Sequence, residues 1–316
     1  MADDYTAEEL QKLADAAISP PLVTHIYTAD PSAHVFEGKL YVYPSHDIDA
    51  GIPFDDDGSH FGMEDYHVLR MDAADSEAVD CGVALHVRDV PWAERQMWAP
   101  DCAARGGRYF FYFPAKAADG LFRIGVAVGS RPEGPFTPEP EAIAGSYSID
   151  PAVFADDDGE YYMYFGGLWG GQLQKYRDNA YAAAHAEPGA DEPALGPRVA
   201  RLTADMTAFA EAPREVVILD EAGEPLRAGD HERLISRDRG CTSTRDGITC
   251  PIRPAILTSC AMRSATARMV RSATGGCYCL PSWAGRRIIR SSSSAANGTS
   301  STTMPCCRGA LRTSGQ

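Results

Sequence analysis

Two aspartates stand where a carboxylate could do acid–base chemistry. Asp30 lies in "YTADPS" and Asp150 in "SIDPAVF", each directly before a proline. A general base must be ionised and reach water, and either residue can meet that need. Alternatively, each caps the backbone N–H groups of its own turn, as aspartates in turns commonly do. Two carboxylates facing one pocket raise each other's pKa, so a pair without a function would be costly and the pairing favours catalysis.

Four further residues are candidates for binding a sugar. Trp98 and Asp101 lie in "QMWAPD", Trp169 in "GGLWGGQ" and His46 in "YPSHD". An indole face suits the C–H groups of a pyranose or furanose ring, and the glycines around Trp169 can bring it to a pocket rim. The alternatives are ordinary packing for both tryptophans and a satisfied turn for His46. We predict substrate contacts for all four residues.

No metal site is predicted from the residue spacing. The run "FDDDG" (54–58) lacks the later ligand positions of a Ca²⁺ loop, and a solvated turn explains it. The late "CYC" and "CC" pairs do not have the spacing of structural zinc sites, and no histidine follows His231. Phosphate loops, nucleophile elbows and dinucleotide fingerprints are absent from the sequence. We therefore expect no required cofactor.

The elements that must position these residues are short strands in a recurring unit. "ADPSAHVFEGKLYVYPSHD" (29–47), "APDCAARGGRYFFYFPAK" (99–116) and "IDPAVFADDDGEYYMYFGG" (149–167) each place an Asp beside a Pro, then a strand, a Gly-containing turn and an aromatic strand. Repeats of this kind predict an all-β fold, a β-propeller built of four-stranded blades. The first strand of each blade lies on the central axis, so Asp30, Asp101 and Asp150 should meet at one mouth.

Charge and cysteine change abruptly near residue 233. The chain has 316 residues and a net charge of −15, but residues 233–316 contain 13 Arg, two Asp and no Lys or Glu, a net +11. Seven of the nine cysteines lie in the same stretch. The acidic body argues against nucleic-acid binding. The amino terminus lacks the apolar region of a secretory signal, and no run is apolar enough to cross a membrane, so a cytoplasmic location is expected.

A shift of reading frame explains this change. The run from Ile235 can be encoded so that the neighbouring frame reads F-E-G-P-W-M-H-K-Y. The run from Trp283 permits G-W-T-T-H-H-S-I-V-E-F-G-G-E-W-Y-L-F-Y-H-D-A. Both strings repeat the strand–turn–aromatic pattern of the body. We predict a helical extension over 1–19, a propeller over 20–233 containing blades 1–3 and the start of blade 4, and a frameshifted, poorly structured tail over 234–316.

The quoted repeats, together with "MWAPD" and "GDHER", resemble glycoside hydrolase family 43. The resemblance implies a five-bladed propeller that acts on arabinose- and xylose-containing glycans by an inverting mechanism. Asp30 matches the family's general base, and Asp150 matches the carboxylate that raises the pKa of the general acid and orients it. The resemblance allows for a structural Ca²⁺ ion, but the residues do not support a site for it.

The printed chain departs from the family at the general acid. The expected Glu is encoded only in the neighbouring frame, across the codons of Ser236 and Arg237. A later His of the family is likewise encoded only in that frame, at the codons of Ile288 and Ile289. Loss of one member of an acid–base pair removes about 10²–10⁴-fold of rate, so we expect this chain to be inactive and its frame-corrected form active. Two alternatives stay open: a non-catalytic propeller that binds glycans or proteins, and a retaining fructosidase-like glycosidase. Preference for arabinofuranosides or xylosides, exo or endo action and oligomeric state do not follow from the sequence.

Overall fold

The protein is described from a computed structural model. Its described residues are 21–53, 55, 57–156, 158–220 and 223–230, together with Lys12, Asp15 and the backbone of four short strands between 242 and 280. The helix predicted near the amino terminus and the domain boundary at residue 233 fall almost wholly outside this part. Both stay predictions.

Blade 1 is a four-stranded antiparallel sheet with the strands in chain order. Its strands are β1 (Tyr27–Phe36), β2 (Lys39–Asp47), β3 (Asp65–Met71) and β4 (Val79–His86). The turn between β1 and β2 contains Gly38 at a φ of 76°, a conformation that glycine adopts without steric cost. The Asp30–Pro31 step interrupts the register between Ala29 and Ser32.

Blade 2 is built around a long aromatic strand. Its strands are β5 (Ala93–Arg95), β6 (Asp101–Arg105), β7 (Arg108–Ala117), β8 (Phe122–Gly129) and β9 (Thr137–Pro138). Both β5 and β6 pair with β7, which also pairs with β8. Gly106 and Gly107 make the turn between β6 and β7.

Blade 3 repeats the four-stranded order. Its strands are β10 (Ala152–Ala155), β11 (Tyr161–Phe165), β12 (Arg198–Arg201) and β13 (Arg214–Glu215). Three short 3₁₀ helices lie at Val87–Asp89, Trp169–Gly171 and Leu173–Lys175.

Within the described part of the chain, five short strands follow blade 3. They are β14 (Val217–Ile218), β15 (Thr242–Thr244), β16 (Gly247–Thr249), β17 (Arg268–Arg271) and β18 (Cys277–Leu280). The strand β14 pairs in parallel with β18, β17 pairs with β18, and β15 pairs with β16. The prediction of a poorly structured tail concerns residues that lie mostly outside the described part.

Two aromatic cores join the three blades. Tyr43 and Tyr66 of blade 1 pack with Phe111 and Phe113 of β7, while Phe110 and Tyr112 of the same strand pack with blade 3. Alternate residues of a strand point to opposite faces, so β7 is buried on both sides. This explains its nearly continuous aromatic sequence. One strand of each blade also adjoins the others, because β6 contacts both β1 and β10.

The all-β propeller prediction is confirmed for the three blades that the quoted repeats cover. Among the described residues, none forms a helix long and apolar enough to span a membrane.

Candidate active site

Asp30 lies on β1 at the break in register and is exposed. Its φ is 44°, in the left-handed region that non-glycine residues rarely adopt. A second carboxyl stands near it: burial raises the pKa of Asp47, and the negative charge of Asp30 raises it further. Asp47 was not among the predicted site residues, although it ends the quoted "YPSHD".

Asp150 lies in the turn before β10 and is 6% exposed. Its φ is 59°, and Ser148 two residues earlier has a φ of 64°. The turn is held by hydrogen bonds: the Ser148 hydroxyl donates to the Gly167 carbonyl and accepts from the Gly167 N–H. Asp150 also acts on blade 1, because burial and then its charge raise the pKa of Tyr66 well above the usual value.

The shared backbone geometry of the two predicted catalytic residues is unusual. A residue before proline is normally extended, yet both Asp30 and Asp150 are left-handed. Such conformations cost about 1–3 kcal/mol each and concentrate at functional sites. Asp tolerates this region better than most residues, so the geometry supports a functional role without requiring one.

Asp101 has a different environment from the other two aspartates. Its side chain is fully buried. Oδ1 lies 2.6 Å from His34 Nε2 on β1, and Oδ2 accepts a 2.7 Å hydrogen bond from the Val153 N–H on β10. The carboxylate therefore ties together one strand of each of the three blades. This position gives Asp101 a structural role and argues against the predicted contact with substrate.

Trp98 packs between the blades and remains partly exposed. Its Nε1–H donates to the Phe61 carbonyl at 2.8 Å, and its ring lies 4.6 Å from the ring of Phe122. A Cβ on Gly58 or Gly170 would lie within 2.7 Å of the indole, so both glycines are needed for this close approach. The packing alternative accounts for most of the Trp98 ring, and the sugar-stacking prediction is untested.

Trp169 lies in the 3₁₀ helix Trp169–Gly171, whose Gly170 contacts the Trp98 ring. Its side chain is outside the described part of the structure, so its predicted sugar contact stays a prediction.

His46 is paired with a carboxylate that sequence reasoning missed. Its Nδ1 lies 2.7 Å from Asp65 Oδ1, and its ring packs edge to face against His67 at a centroid distance of 5.0 Å. The ring is 20% exposed. The pairing with Asp65 satisfies one nitrogen, but the partner lies on β3 and not in a turn as the alternative interpretation had it. The predicted contact with a sugar hydroxyl is untested.

A calcium site finds no support in the described residues of "FDDDG". The Asp55 carboxylate accepts a hydrogen bond from the Ser59 N–H within its own turn. The late histidine of the family has no counterpart in the printed tail. We therefore derive no step of the chemistry from a central ion.

The chain resembles known proteins over the three blades. Residues 81–216 match the family model of glycosyl hydrolases family 43, a span that contains Asp150 but not Asp30. A xylosidase/arabinosidase 43A from Humicola insolens is 60% identical over 222 residues, 67% of this chain and 68% of that protein. A beta-xylosidase from Xylanibacter ruminicola is 56% identical over 210 residues, 66% of each protein. The chain thus spans about two thirds of the length of these relatives.

Comparison with solved structures gives the same family. A GH43_1 enzyme from Xanthomonas citri, complexed with xylose, is 64% identical with a TM-score of 0.69. The alignment covers 77% of this chain and 71% of that one. The RS223 beta-xylosidase is 46% identical with a TM-score of 0.68, covering 81% and 78%. The chain belongs to glycosyl hydrolases family 43 and is by family an O-glycosyl hydrolase.

Proposed function

We propose that this protein derives from an inverting hydrolase of xylose- and arabinose-containing oligosaccharides, and that the printed chain lacks the proton donor. The names of its relatives, a xylosidase/arabinosidase and a beta-xylosidase, support this substrate class. So do the Xanthomonas citri structures complexed with xylose and xylotriose.

In this proposal Asp30 removes a proton from water, whose oxygen attacks the anomeric carbon. The glycosidic C–O bond breaks as the general acid protonates the leaving oxygen. Its exposed position gives water access to the carboxylate. Base and acid must stand about 6.5–9.5 Å apart to leave room for that water. The acid would be the Glu of the E-G-P segment that the neighbouring frame encodes after Ile235. This Glu has no counterpart in the printed tail.

Asp150 would raise the pKa of that acid and hold it protonated. A buried negative charge does this to a neighbouring acid, and its effect on the pKa of Tyr66 supports the role. The observation that carries the proposal is the matching geometry of Asp30 and Asp150, because both precede proline and both are left-handed. Asp30 lies on β1, and Asp150 lies in the turn directly before β10.

The test compares the printed chain with a version whose frame is restored after Arg233. We expect the restored protein to hydrolyse aryl xylosides or arabinofuranosides and the printed chain to be slower by at least about 10²-fold. Equal activity in both would contradict the loss of the acid.

Asp30→Asn and Asp150→Asn in the restored protein should each lower kcat/KM by about 10²–10⁴-fold. Asn also tolerates left-handed φ, so these variants remove charge with little backbone change. Asp75→Asn, at an exposed position, is the matched control. Full activity in both site variants would overturn the proposed roles of Asp30 and Asp150, whereas a restored protein without any hydrolytic activity would favour a binding propeller.

Product stereochemistry by NMR distinguishes the remaining alternative. The first-formed sugar should have the inverted anomeric configuration. A retained configuration would identify a double-displacement mechanism with an Asp nucleophile.

A further inference from the structure

Three histidines and two aspartates form a connected cluster on blade 1 that the proposed chemistry does not use. His46 Nδ1 lies 2.7 Å from Asp65 Oδ1, and His67 Nδ1 lies 2.9 and 3.0 Å from the two oxygens of Asp80. His25 Nε2 lies 2.7 Å from Asp80 Oδ2.

From these residues we infer a binding site for a divalent transition cation of the zinc type, held by His46, Asp65 and His67. Each of the three offers a ligand atom, and these atoms all lie within 4.8 Å of one another. Imidazole and carboxylate together suit Zn²⁺, Co²⁺ and Ni²⁺. Three protein ligands leave at least one coordination position for water.

The hydrogen bonds decide which nitrogen of His67 is available. An ionised carboxylate only accepts hydrogen bonds, so Asp80 requires the proton of a neutral His67 to be on Nδ1. The lone pair is then on Nε2, which makes no hydrogen bond within the described part of the chain. A carboxylate that orients a ligating histidine in this way is the usual partner of metal-bound imidazole.

Asp80 is itself held in place by other donors. His25 Nε2 lies 2.7 Å from its Oδ2, and the Gly82 N–H donates to its Oδ1 at 2.8 Å. Asp80 is thus a positioning residue for His67.

His46 and Asp65 provide the other two ligands. Their atoms Nδ1 and Oδ1 are already adjacent, and the ion takes the place of the proton between them, which moves to Nε2 of the same ring or to solvent. Ligand atoms at about 2.0–2.1 Å from an ion lie about 3.4 Å apart in a tetrahedral site. Binding therefore requires His46 Nδ1 and Asp65 Oδ1, 2.7 Å apart without the ion, to separate slightly and His67 to adjust its position.

The cluster lies where an ion can reach it. Tyr41 and Tyr43 of β2 pack into the core shared with blade 2, so strand alternation places His46 on the opposite face. Val83, which pairs with His67, is 50% exposed. The ligand side chains are 14–20% exposed, so the site is shielded but open.

The seven cysteines after residue 240 are competing ligands, and the test must separate them from the cluster. We would titrate the full chain with Co²⁺ and record its absorption spectrum. We expect one equivalent to bind with ligand-field bands and without the near-ultraviolet charge-transfer bands of thiolate.

His46→Ala and His67→Ala should each weaken binding by at least 10-fold, and Asp80→Asn by about 10–100-fold. The control is His86→Ala, because His86 is outside the cluster and accepts a hydrogen bond from the Arg88 N–H. Unchanged affinity in both histidine variants would overturn the proposal.

X-ray absorption of the Zn²⁺-loaded chain needs no variant and so does not depend on their folding. Nitrogen and oxygen ligands at about 2.0–2.1 Å would support the cluster. Sulfur ligands at about 2.3 Å, or no bound ion, would overturn it and leave a hydrogen-bond network alone.

Discussion

Asp30 and Asp101 belong to corresponding segments of blades 1 and 2, yet their carboxylates have opposite surroundings. Asp30 is exposed and left-handed at a break in β1. Asp101 begins the regular strand β6, is fully buried, and bonds to His34 and Val153. Asp150 of blade 3 shares the left-handed backbone of Asp30.

The order of Asp and Pro in the sequence differs between these positions. Asp30 and Asp150 precede a proline, whereas Asp101 follows one. Proline lacks an N–H and cannot donate to a strand ladder, so Pro31 accompanies a break in pairing. Cys102 keeps its N–H, and pairing continues from Asp101 to Arg105. The same two residue types therefore give an exposed, left-handed carboxylate in one blade and a buried, hydrogen-bonded carboxylate in the next.

The largest expected effect is a difference in the free energy of unfolding between variants of Asp101 and of Asp30. Asp101→Asn should lower the free energy of unfolding by about 3 kcal/mol, because an amide cannot accept both of its charged hydrogen bonds. Asp30→Asn should change it by less than about 1 kcal/mol. Urea denaturation of both variants measures the difference, and equal losses would remove the distinction between the two aspartates.

The second prediction tests the contact that Trp98 makes with the segments of blades 1 and 3. Gly170→Ala would place a Cβ 2.7 Å from the indole and should destabilise the protein by about 1–3 kcal/mol. Gly189→Ala is the control, since its nearest neighbour would be 3.9 Å away and its φ is not positive. Thermal unfolding of the pair should show a loss at Gly170 alone.

The third prediction concerns the backbone strain at Asp30 and Asp150, compared with Asp101. At Asp30 and Asp150, a Gly variant should be more stable than the Ala variant by about 1–2 kcal/mol, because only Ala is strained at positive φ. At Asp101 the order should reverse by about 0.5–1 kcal/mol, since Gly weakens a strand. The same order at all three positions would contradict the left-handed geometry.

The smallest effect concerns Asp47, the neighbour of Asp30. Its pKa is raised in the folded state, so its protonated form favours folding and that contribution is lost as pH rises through the folded pKa. Asp47→Asn should therefore stabilise the protein at neutral pH, by no more than about 1 kcal/mol, and should not do so at acidic pH. Melting temperatures across that pH range check the sign; a loss of stability at neutral pH would contradict it.

Repeats of Asp, Pro, Gly and aromatic residues were sufficient to predict the propeller blades. Strand alternation and glycine turns are local properties, and the aromatic run of β7 fits the burial that the structure shows on both of its faces. The sequence also aligned the segments that carry the three aspartates, but it did not predict the different surroundings of their carboxylates. Burial of Asp101 depends on His34 and Val153, which lie 67 and 52 residues away along the chain.

The cluster around His46 was missed for the same reason. His46, Asp65, His67 and Asp80 lie on three different strands, and their sequence spacing fits no metal motif. The histidine and aspartate types were visible in the sequence, but only the register of β2, β3 and β4 brings them together.

By itself the sequence determined the blade-forming strands, the family resemblance and the point near residue 233 where the composition changes, because these depend on residue type and order. Tertiary structure decided the surroundings of each carboxylate. A carboxylate's role is set by its burial and by the donors around it, and these come from strands distant in the chain.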